Sequence, residues 1–559
     1  MRKAKYAISL ILCIIIGITL FTGCAGGGGG NTEQPAQTAG SGAAEPPSQT
    51  TGGGTVQPSV SSSSPSPVAI PENTDAPVSE DAEYYEHFTF LLNGGIQILD
   101  LFNPASSSSQ IGYVTNHVYN RLVKVTPTGE FLPDLALSWE TDDYITINLK
   151  LRDDVYFHNG EKFTADDVAF TIESSWEATG TRMFDRWSKV DSYEVVNDYE
   201  INIVFKQMNI DYLYDFSNAI GAILNRKAYA DDPEKGPWIG TGPWIVTDFK
   251  SLDSIDFIRN ENYFGQIPVT KTMTFRTIAE ITAKNIMIEN DEADLTNLDS
   301  AYIPMYENDD RFTLWSYTMN NLNYCAFNFN NPITADYNFR MAIAHAFNAE
   351  ECLDISLNGY GLPADLAAAW GLYTEFRNND LPAYEYNLDL AKDYLSKSSY
   401  NGETVQVINM GGHGSRISQV IQAQAGAIGI NIEVFDTDSP TLNANTMWGN
   451  TDSQLIVTSI VQPAASDIRS YIYPGYSANK SNYDNPRVNE LLDLASATLD
   501  RAEREKMYRE VQEILATELP YLPVLYMSLY FIGQNGIGGM QWYPDNNHDL
   551  SQVYRLKLP

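Results

Sequence analysis

The sequence predicts a mixed α/β protein of two or three domains. Its 559 residues are too many for one ordinary hydrophobic core. Residues 145–151 and 199–205 alternate apolar and polar side chains, which is the pattern of a half-buried strand. Between them, Thr164 is placed to cap a helix whose first turn holds Asp166 and Asp167, because carboxylates favour the positive end of the helix dipole. Strands and helices therefore alternate along one chain.

The first 24 residues have the form of a lipoprotein signal peptide. Three basic residues precede an apolar run over residues 8–21, which is shorter than the roughly 20 residues of a membrane-spanning helix. The run ends at FTGC, which resembles a bacterial lipobox and implies that Cys24 carries the lipid. An uncleaved membrane anchor is the alternative. Lipid chains would hold the protein on the outer face of the bacterial cytoplasmic membrane, on its periplasmic or extracellular side.

Residues 25–82 are predicted to be a disordered tether between this anchor and a folded body. They are mostly Gly, Ser, Pro, Thr and Gln, with almost no large apolar side chains. Such a segment cannot bury enough surface to offset the entropy of ordering. Its typical reach would be roughly 40 Å.

Charge and motif content exclude several functions. The net charge of −36 and the pI near 4.4 argue against nucleic-acid binding, which requires Lys and Arg. The histidines lack metal-ligand spacing, and the GxSxG and P-loop patterns are absent. We therefore expect no catalysis, no metal and no cofactor. Cys325 and Cys352 could form one disulfide or remain two buried thiols.

One stretch, residues 153–176, places His158 among six carboxylates and raises the question of a catalytic or metal cluster. Local structure explains these side chains. Asp166 and Asp167 would start a helix, Asp153 and Asp154 would end a strand, and His158 would occupy a turn. The cluster is interpreted as structural.

The same region carries a family resemblance. FLPDLALSW and LKLRDDVYFHNGEKFTADDVAFTI look like the signature of family 5 extracellular solute-binding proteins, the peptide- and nickel-type receptors of bacterial ABC importers. Further matches follow in the family's order, among them GTGPWIVTDF, ITADYNFRMAIAHAFNAEECLD and ISQVIQAQAGAIGINIEV. The resemblance extends over almost the whole folded body.

The resemblance implies a two-lobed clamshell of the periplasmic-binding-protein type II class, with an extra subdomain on lobe I. Chain that passes twice between the lobes would form a hinge whose closure depends on ligand. The implied parts are lobe I at 83–117, 240–324 and 520–559, the extra subdomain at 118–239, and lobe II at 325–519.

The resemblance also implies where a ligand would lie. Peptide-binding members place an Asp after a lobe II strand to hold the ligand's ammonium, but here Ile460 and Val461 stand at that place. The next acid is Asp467, followed by Arg469. A buried ammonium without a partner is costly, so binding of free amino termini would depend on Asp467.

Two further groups are candidate ligand contacts. In the loop MGGHGSRIS, glycines allow a close approach of the backbone, the following helix would attract anions, and His413 or Arg416 could face a carboxylate. Trp370 and Trp448 could stack on a side chain or a sugar ring, with core packing as the alternative for each.

The function predicted from the resemblance is that of an ABC-importer substrate-binding lipoprotein. It would capture an oligopeptide or a similar small solute, deliver it to permease subunits driven by cytoplasmic ATPases, and act as a monomer. An oligosaccharide receptor of the same fold is the first alternative, and nickel–chelate binding is less favoured because His413 stands alone. A surface glycoside hydrolase and a signalling sensor are alternatives from other classes.

Overall fold

The structure is a computed structural model. It describes residues 82–106, 110–126, 130–218, 221–437, 442, 454–462, 464–542 and 548–558. The predicted signal peptide with Cys24, the predicted tether as far as residue 81, and Trp448 lie outside the described residues. Those predictions stay predictions.

The described residues form short helices and strands in alternation. The strands are β1 (His87–Leu92), β2 (Val123–Val125), β3 (Phe131–Pro133), β4 (Ala136–Glu140), β5 (Thr146–Leu151), β6 (Val190–Asn197), β7 (Glu200–Phe205), β8 (Trp244–Lys250), β9 (Ser254–Arg259), β10 (Thr272–Thr277), β11 (Leu295–Leu298), β12 (Phe312–Phe327), β13 (Gly361–Pro363), β14 (Thr404–Asn409), β15 (Asn431–Asp436), β16 (Leu455–Val461), β17 (Tyr521–Gln534), β18 (Ile537–Gly538), β19 (Gln541–Trp542), β20 (His548–Asp549) and β21 (Tyr554–Arg555).

The helices lie mostly between these strands. They are α1 (Ile111–Val118), α2 (Ala165–Glu177), α3 (Arg182–Trp187), α4 (Tyr212–Ser217), α5 (Arg226–Asp231), α6 (Ile281–Glu289), α7 (Ile303–Tyr306), α8 (Tyr337–Ala346), α9 (Ala349–Leu357), α10 (Leu388–Lys397), α11 (His413–Gly426), α12 (Ile468–Ile472), α13 (Pro486–Ser496) and α14 (Arg501–Glu518). Within the part of the chain that the structure describes, every helix is too short or too polar to span a bilayer.

One large sheet runs through the molecule, in the order β15-β14-β16-β12-β17-β11-β1-β10-β9-β8, with β13 added to β17. The half that contains β1 and β8–β11 is referred to as lobe I, and the half that contains β13–β16 as lobe II. The strands β14, β15 and β16 are parallel to one another, and β1 is parallel to both β10 and β11. The long strands β12 and β17 lie between the two halves and are antiparallel to each other.

β12 and β17 belong to both lobes. Their pairing runs from Phe312 opposite Gln534 to Ala326 opposite Tyr521. At the lobe I end β17 also pairs with β11, and at the lobe II end β12 also pairs with β16. The pairing register shifts between Thr318 and Leu322, so a β-bulge lies at the boundary between the two lobes. The chain therefore crosses between the lobes twice, inside continuous strands.

Each lobe has its own buried apolar layers. In lobe II, one face of the sheet packs against α8, α9, α10 and α11, and the other against α12, α13 and α14. In lobe I, α1 and the small antiparallel sheet β4-β5-β7-β6 share one core, and α6 and α7 cover the opposite face. The prediction of a mixed α/β fold is confirmed.

The elements predicted from local patterns occur where expected. β5 and β7 bury every second side chain, among them Ile147, Leu149, Ile201 and Ile203. At the start of α2, the backbone N–H of Thr164 donates to the Asp167 carboxylate at 3.0 Å, within a capping box.

His158 has a structural role. The backbone N–H of Gly240 donates to its Nδ1 (3.3 Å), so Nε2 carries the proton and donates to the Gly242 carbonyl at 2.9 Å. Burial lowers the pKa of His158 to about 4, which keeps the ring neutral. The histidine thus ties its turn to the GTGP segment.

The two cysteines of the folded body are both free thiols. Cys325 in β12 and Cys352 in α9 are fully buried in the lobe II core. Burial raises the pKa of each thiol to about 12. Of the two alternatives that the sequence left open, the structure shows buried thiols.

We expect Gly240→Ala to lower the free energy of unfolding by about 1–3 kcal/mol, because a Cβ at this position would lie 1.9 Å from the Val118 carbonyl oxygen. Gly426→Ala at the end of α11 is the matched control, since its Cβ would meet nothing within 4 Å and alanine is the better helix former. Urea unfolding at constant m value measures both changes. Equal midpoints for wild type and Gly240→Ala would show that the loop is not closely packed.

Candidate ligand-binding cleft

The carboxyl ends of parallel strands from both lobes point towards the boundary between them. In lobe I, β1 and β11 run towards the boundary and end at Leu92 and Leu298. In lobe II, β16 ends at Val461, opposite Asn321 in the bulge of β12, and β14 runs parallel to it. Ligands of open α/β sheets bind beyond the carboxyl ends of the strands. The boundary is therefore the candidate site, and two grooves lie along it.

The first, called the lysine groove, has a volume of about 340 Å³. Residues 527–530 of β17 form part of its wall, and both lobes contribute polar side chains. Those from lobe I are Asn93, Lys284 and Asp299, and those from lobe II are Tyr360, His413 and Arg416.

Lys284 is a buried cation in this groove. It lies on α6 among apolar positions and is only 2% exposed. Its ammonium donates to Asn93 Oδ1 and, at 3.4 Å, to the Asn297 carbonyl. Among the described residues no carboxylate lies within 4 Å of it to form an ion pair. Burial lowers the pKa of Lys284 to about 8, and Asp299 partly opposes this shift.

His413 and Arg416 stand at the opposite side of the lysine groove. The helix α11 starts at His413, because Gly411 and Gly412 make the preceding turn with φ of +76° and +58°. The Arg416 side chain is exposed, and its Nε donates to the Ser356 carbonyl at 2.7 Å. Burial and the nearby Arg416 lower the pKa of His413.

The second groove, called the aspartate groove, has a volume of about 390 Å³ and lies between the small antiparallel sheet's subdomain and lobe II. Its walls are aromatic. Phe131 and Tyr214 pack edge to face at 4.8 Å on one side, and Phe376 and Tyr508 stack at 5.6 Å on the other. Tyr373, whose ring stacks on Tyr317 of β12 at 6.4 Å, also lines it.

Asp211 supplies a carboxylate to the aspartate groove. The Ser466 hydroxyl of lobe II donates to Asp211 Oδ2, so this contact joins the two sides of the groove. Burial raises the pKa of Asp211 to about 6, and the charges of Asp467 and Asp215 add to the rise. Within the described residues Asp211 has no salt-bridge partner.

The negative charge of the nearby Asp215 is balanced by two cations. Arg186 and Lys189 both form ion pairs with it, the latter at 2.8 Å, and Asn209 donates to it at 2.8 Å. Burial alone would raise the pKa of Asp215, but the two cations hold it below its ordinary value. Of these two aspartates, only Asp211 lines the groove, together with Glu375, which is paired with Arg501, and the cation Arg504.

Asp467 and Arg469, the candidate ligand contacts at the end of a lobe II strand, both bind groups of lobe II itself. The Asp467 carboxylate accepts from the Ala464 N–H at 2.8 Å next to the start of α12, and burial raises its pKa. The Arg469 guanidinium donates to Asp493 at 2.5 Å and lies 3.9 Å from the Tyr473 ring centre. The charge of Asp467 thus helps to raise the pKa of Asp211, whereas Arg469 forms an ion pair with Asp493 in lobe II.

Trp370 is not available for stacking on a ligand in this structure. It is 0% exposed, its indole N–H donates to the Glu375 carbonyl at 3.2 Å, and its own carbonyl accepts from the Tyr526 hydroxyl at 2.7 Å. These bonds hold the segment with the Trp370 ring inside the core. Core packing, the alternative, describes it.

Sequence reasoning missed Lys284, Asp211 and Tyr373. The sequence held a signal for Lys284, because it is the one cation in ITAKNIMIE, the mostly apolar sequence of α6. Asp211 lies in the stretch NIDYLYDF, where acids alternate with aromatic residues. Among the residues that the structure covers, no group of three or more His, Cys, Asp or Glu side chains is arranged to hold a metal ion.

The fold and the cleft define a class of protein. A single sheet divided into two lobes by a pair of crossing strands, with grooves along the division, is the two-lobed type II clamshell of solute-binding proteins. The ABC transporter substrate-binding protein CtaP from Listeria monocytogenes has this fold, with a TM-score of 0.76 at 22% identity over 85% of this chain and 100% of that one. AppA from Clostridium difficile, described as a putative peptide binding protein, also has a TM-score of 0.76, at 20% identity over 84% and 100%.

The particular family follows from the sequence match. Residues 130–483 match the bacterial extracellular solute-binding proteins, family 5 (middle), and the chain belongs to this family. A relative is the nickel-binding periplasmic protein of Escherichia coli, which is 24% identical over 79% of this chain and 90% of its own length. Members of the family are solute-binding proteins of ABC transporters and not enzymes.

We expect Asp211→Asn to stabilise the protein at pH 7 by about 1–3 kcal/mol, because it removes a charge that burial disfavours. The pKa of Asp211 is about 6 in the folded chain, above the ordinary 3.8. The folded state therefore binds its proton more tightly, and this contribution to stability is lost as the pH rises from about 4 to above 6.

Urea unfolding of wild type and Asp211→Asn between pH 4 and pH 8 measures this difference. It should be near zero at pH 4 and largest at pH 7. Asp153→Asn, which removes an exposed acid in the same lobe, is the control and should show no such growth. A difference that does not change with pH would contradict the assigned environment of Asp211.

Proposed function

We propose that this protein is the lipid-anchored substrate-binding component of an ABC importer, and that it captures an oligopeptide or a similar small solute outside the membrane. It would close over the solute and deliver it unchanged to a permease. Membership of the family supports the general role. The choice of solute and the anchor rest on the features below.

The observation that carries the choice of solute is the opposite charge of the two grooves. The aspartate groove offers an unpaired carboxylate between aromatic walls, and the lysine groove offers an unpaired ammonium with His413 and Arg416 beside it. A peptide in its zwitterionic form carries an ammonium, a carboxylate and side chains that aromatic rings can contact. The cleft is complementary to all three.

Known relatives support a peptide. SapA of Haemophilus influenzae, a peptide transport periplasmic protein, is 23% identical over 82% of this chain and 91% of its own length. The oligosaccharide alternative loses part of its support, because Trp370 is buried. For a free amino terminus, Asp211, which accepts a hydrogen bond from the Ser466 hydroxyl, is the carboxylate that we propose in place of the acid absent at Ile460 and Val461.

We expect a pool of random tetrapeptides with free termini to bind, and a matched pool with acetylated amino termini to bind about tenfold less tightly, since acetylation removes the charge that Asp211 would hold. Isothermal titration measures both affinities, with an oligosaccharide pool as the comparison. Asp211→Asn should reduce the difference between the two peptide pools. Heat from the oligosaccharide pool alone would disprove the peptide assignment.

We expect Cys24→Ala to release the protein from the membrane fraction, because lipid chains on this residue would be the anchor. Cell fractionation and metabolic labelling with a radioactive fatty acid measure the effect. Cys13→Ala, in the apolar run of the signal peptide, is the matched control and should retain both label and membrane association. Wild-type protein that is in the membrane fraction but carries no label would indicate an uncleaved anchor instead.

A further inference from the structure

A polar cavity in lobe I lies at the opposite end of the sheet from the cleft. β1 runs from His87 towards the boundary between the lobes, so His87 marks the far end. The strand pairing carries this end across β10 and β9 to the start of β8, where Trp244 pairs with Arg259. Pro243, directly before β8, and Tyr263, shortly after β9, line a cavity of about 240 Å³. The length of β1, six residues at about 3.3 Å each, separates this lobe I cavity from the cleft.

Asn120 organises one wall of the lobe I cavity. It is 8% exposed, and its amide nitrogen donates to Asp134 Oδ1 at 2.9 Å and to the Tyr263 hydroxyl at 3.1 Å. Its amide oxygen accepts from the Thr241 hydroxyl at 3.1 Å. Because both polar atoms of this buried side chain have partners, the Asp134 carboxylate and the Tyr263 hydroxyl are held in fixed positions.

Asp134 is a buried carboxylate without a cation. It is 8% exposed, and besides the bond from Asn120 it accepts from the backbone N–H of Arg121 at 3.0 Å. Burial raises the pKa of Asp134, although this N–H and the charges of Arg121 and Lys124 oppose the rise. Within the described part of the chain, no Lys, Arg or His forms an ion pair with it. A buried charge of this kind costs free energy until it is paired.

The same cavity holds two cations that also lack an ion pair. The Arg121 guanidinium donates to Asn116 Oδ1 and, at 3.4 Å, to the Ser217 carbonyl, and both of these oxygens are neutral. Lys124 is an exposed residue of β2 with no carboxylate within 4 Å among the described residues. With Asp549, the lining therefore carries two acids and two cations, in a chain that has 71 acidic and 35 basic residues.

We propose that the lobe I cavity is a second binding site, which takes a small zwitterion of the free α-amino-acid class and is separate from the site of the transported solute. The ammonium would face Asp134, and the carboxylate would face Arg121 and Lys124. A ligand with only one of these charges would leave Asp134 or Arg121 still without a counter-ion. The volume is below the roughly 300–1,000 Å³ of pockets for drug-sized ligands, which suits a molecule as small as an amino acid.

The first test follows thermal unfolding of the purified full chain with each protein amino acid at millimolar concentration. At least one amino acid should raise the Tm of wild type, because a ligand stabilises the state that binds it. The rise should disappear in Asp134→Asn and shrink severalfold in Lys124→Gln, an exposed position that serves where Asp134→Asn does not fold. Asp153→Asn, which removes an exposed acid, is the control and should keep the whole rise.

Asp211→Asn shows which site the amino acid occupies. If the ligand binds in the lobe I cavity, this variant of the cleft keeps the rise in Tm. A rise that is lost in Asp211→Asn and kept in Asp134→Asn would place the amino acid in the cleft and overturn the proposal. An equal response of wild type, Asp134→Asn and Lys124→Gln, including no response to any amino acid, would also overturn it.

The second test removes one charge of the ligand at a time. Isothermal titration compares the amino acid that raises the Tm most with its N-acetyl form and its carboxamide form. Each modified form should bind wild type about tenfold less tightly, since each lacks one charge-assisted contact. Equal affinity of all three forms contradicts a zwitterion site.

Titration with the pool of free tetrapeptides keeps this site distinct from the proposed function. Asp134→Asn should bind that pool as wild type does, because the peptides bind in the cleft. If wild type does not bind the pool, the peptide receptor is wrong, and the amino-acid titration still decides on the lobe I cavity.

Discussion

The antiparallel pairing of β12 with β17 is the constraint on which the rest of the molecule depends. β11 pairs with β17 on the lobe I side and β16 pairs with β12 on the lobe II side, and the outer strands of each lobe follow from these two. Since both strands are continuous across the boundary, the lobes cannot separate without bending this one ladder. The register of this ladder shifts between Thr318 and Leu322 and again between Asn323 and Tyr324, and interrupted pairing bends more readily than regular pairing. The cleft and the point of flexure therefore coincide.

A buried amide organises the chain at that point. Asn320, in the bulge, is 0% exposed; its Nδ2 donates to the Gln462 carbonyl at 2.6 Å and to the Thr374 hydroxyl at 3.1 Å, and its Oδ1 accepts from the Tyr373 N–H at 3.2 Å. These bonds join the crossing strand to the end of β16 and to the segment that lines the aspartate groove. Buried polar groups that are fully satisfied fix one arrangement of the surrounding chain. The position of Tyr373 in the cleft is thus set by the same residue that marks the bulge.

The sequence predicted those features that depend on neighbouring residues. Alternation identified β5 and β7, and capping chemistry placed α2 at Thr164, because both are local effects. The family resemblance, and not a local effect, pointed to His413 and Arg416, and both residues line the lysine groove. Lys284 and Asp211 were not predicted, since their environments come from distant chain: Asn93 is 191 positions from Lys284, and Ser466 is 255 from Asp211. The sequence left stacking and core packing open for Trp370, because the hydrogen bonds from Tyr526 and to Glu375 that accompany its burial form only in the folded chain.

The uncompensated charges of the cleft have a thermodynamic meaning when they are considered together. Asp211 and Lys284 lie in different grooves that both lobes help to form, so closing an empty cleft removes water from two charges without giving either of them an ion-pair partner. The same closure around a solute of opposite charges gives both a partner. The free-energy difference between closed and open forms therefore changes sign more easily with a zwitterion than with a neutral molecule of the same size. A ligand shifts such an equilibrium only if it binds the closed form more tightly than the open form. On this argument, the charges that make the empty closed protein less stable are also what makes closure depend on the solute.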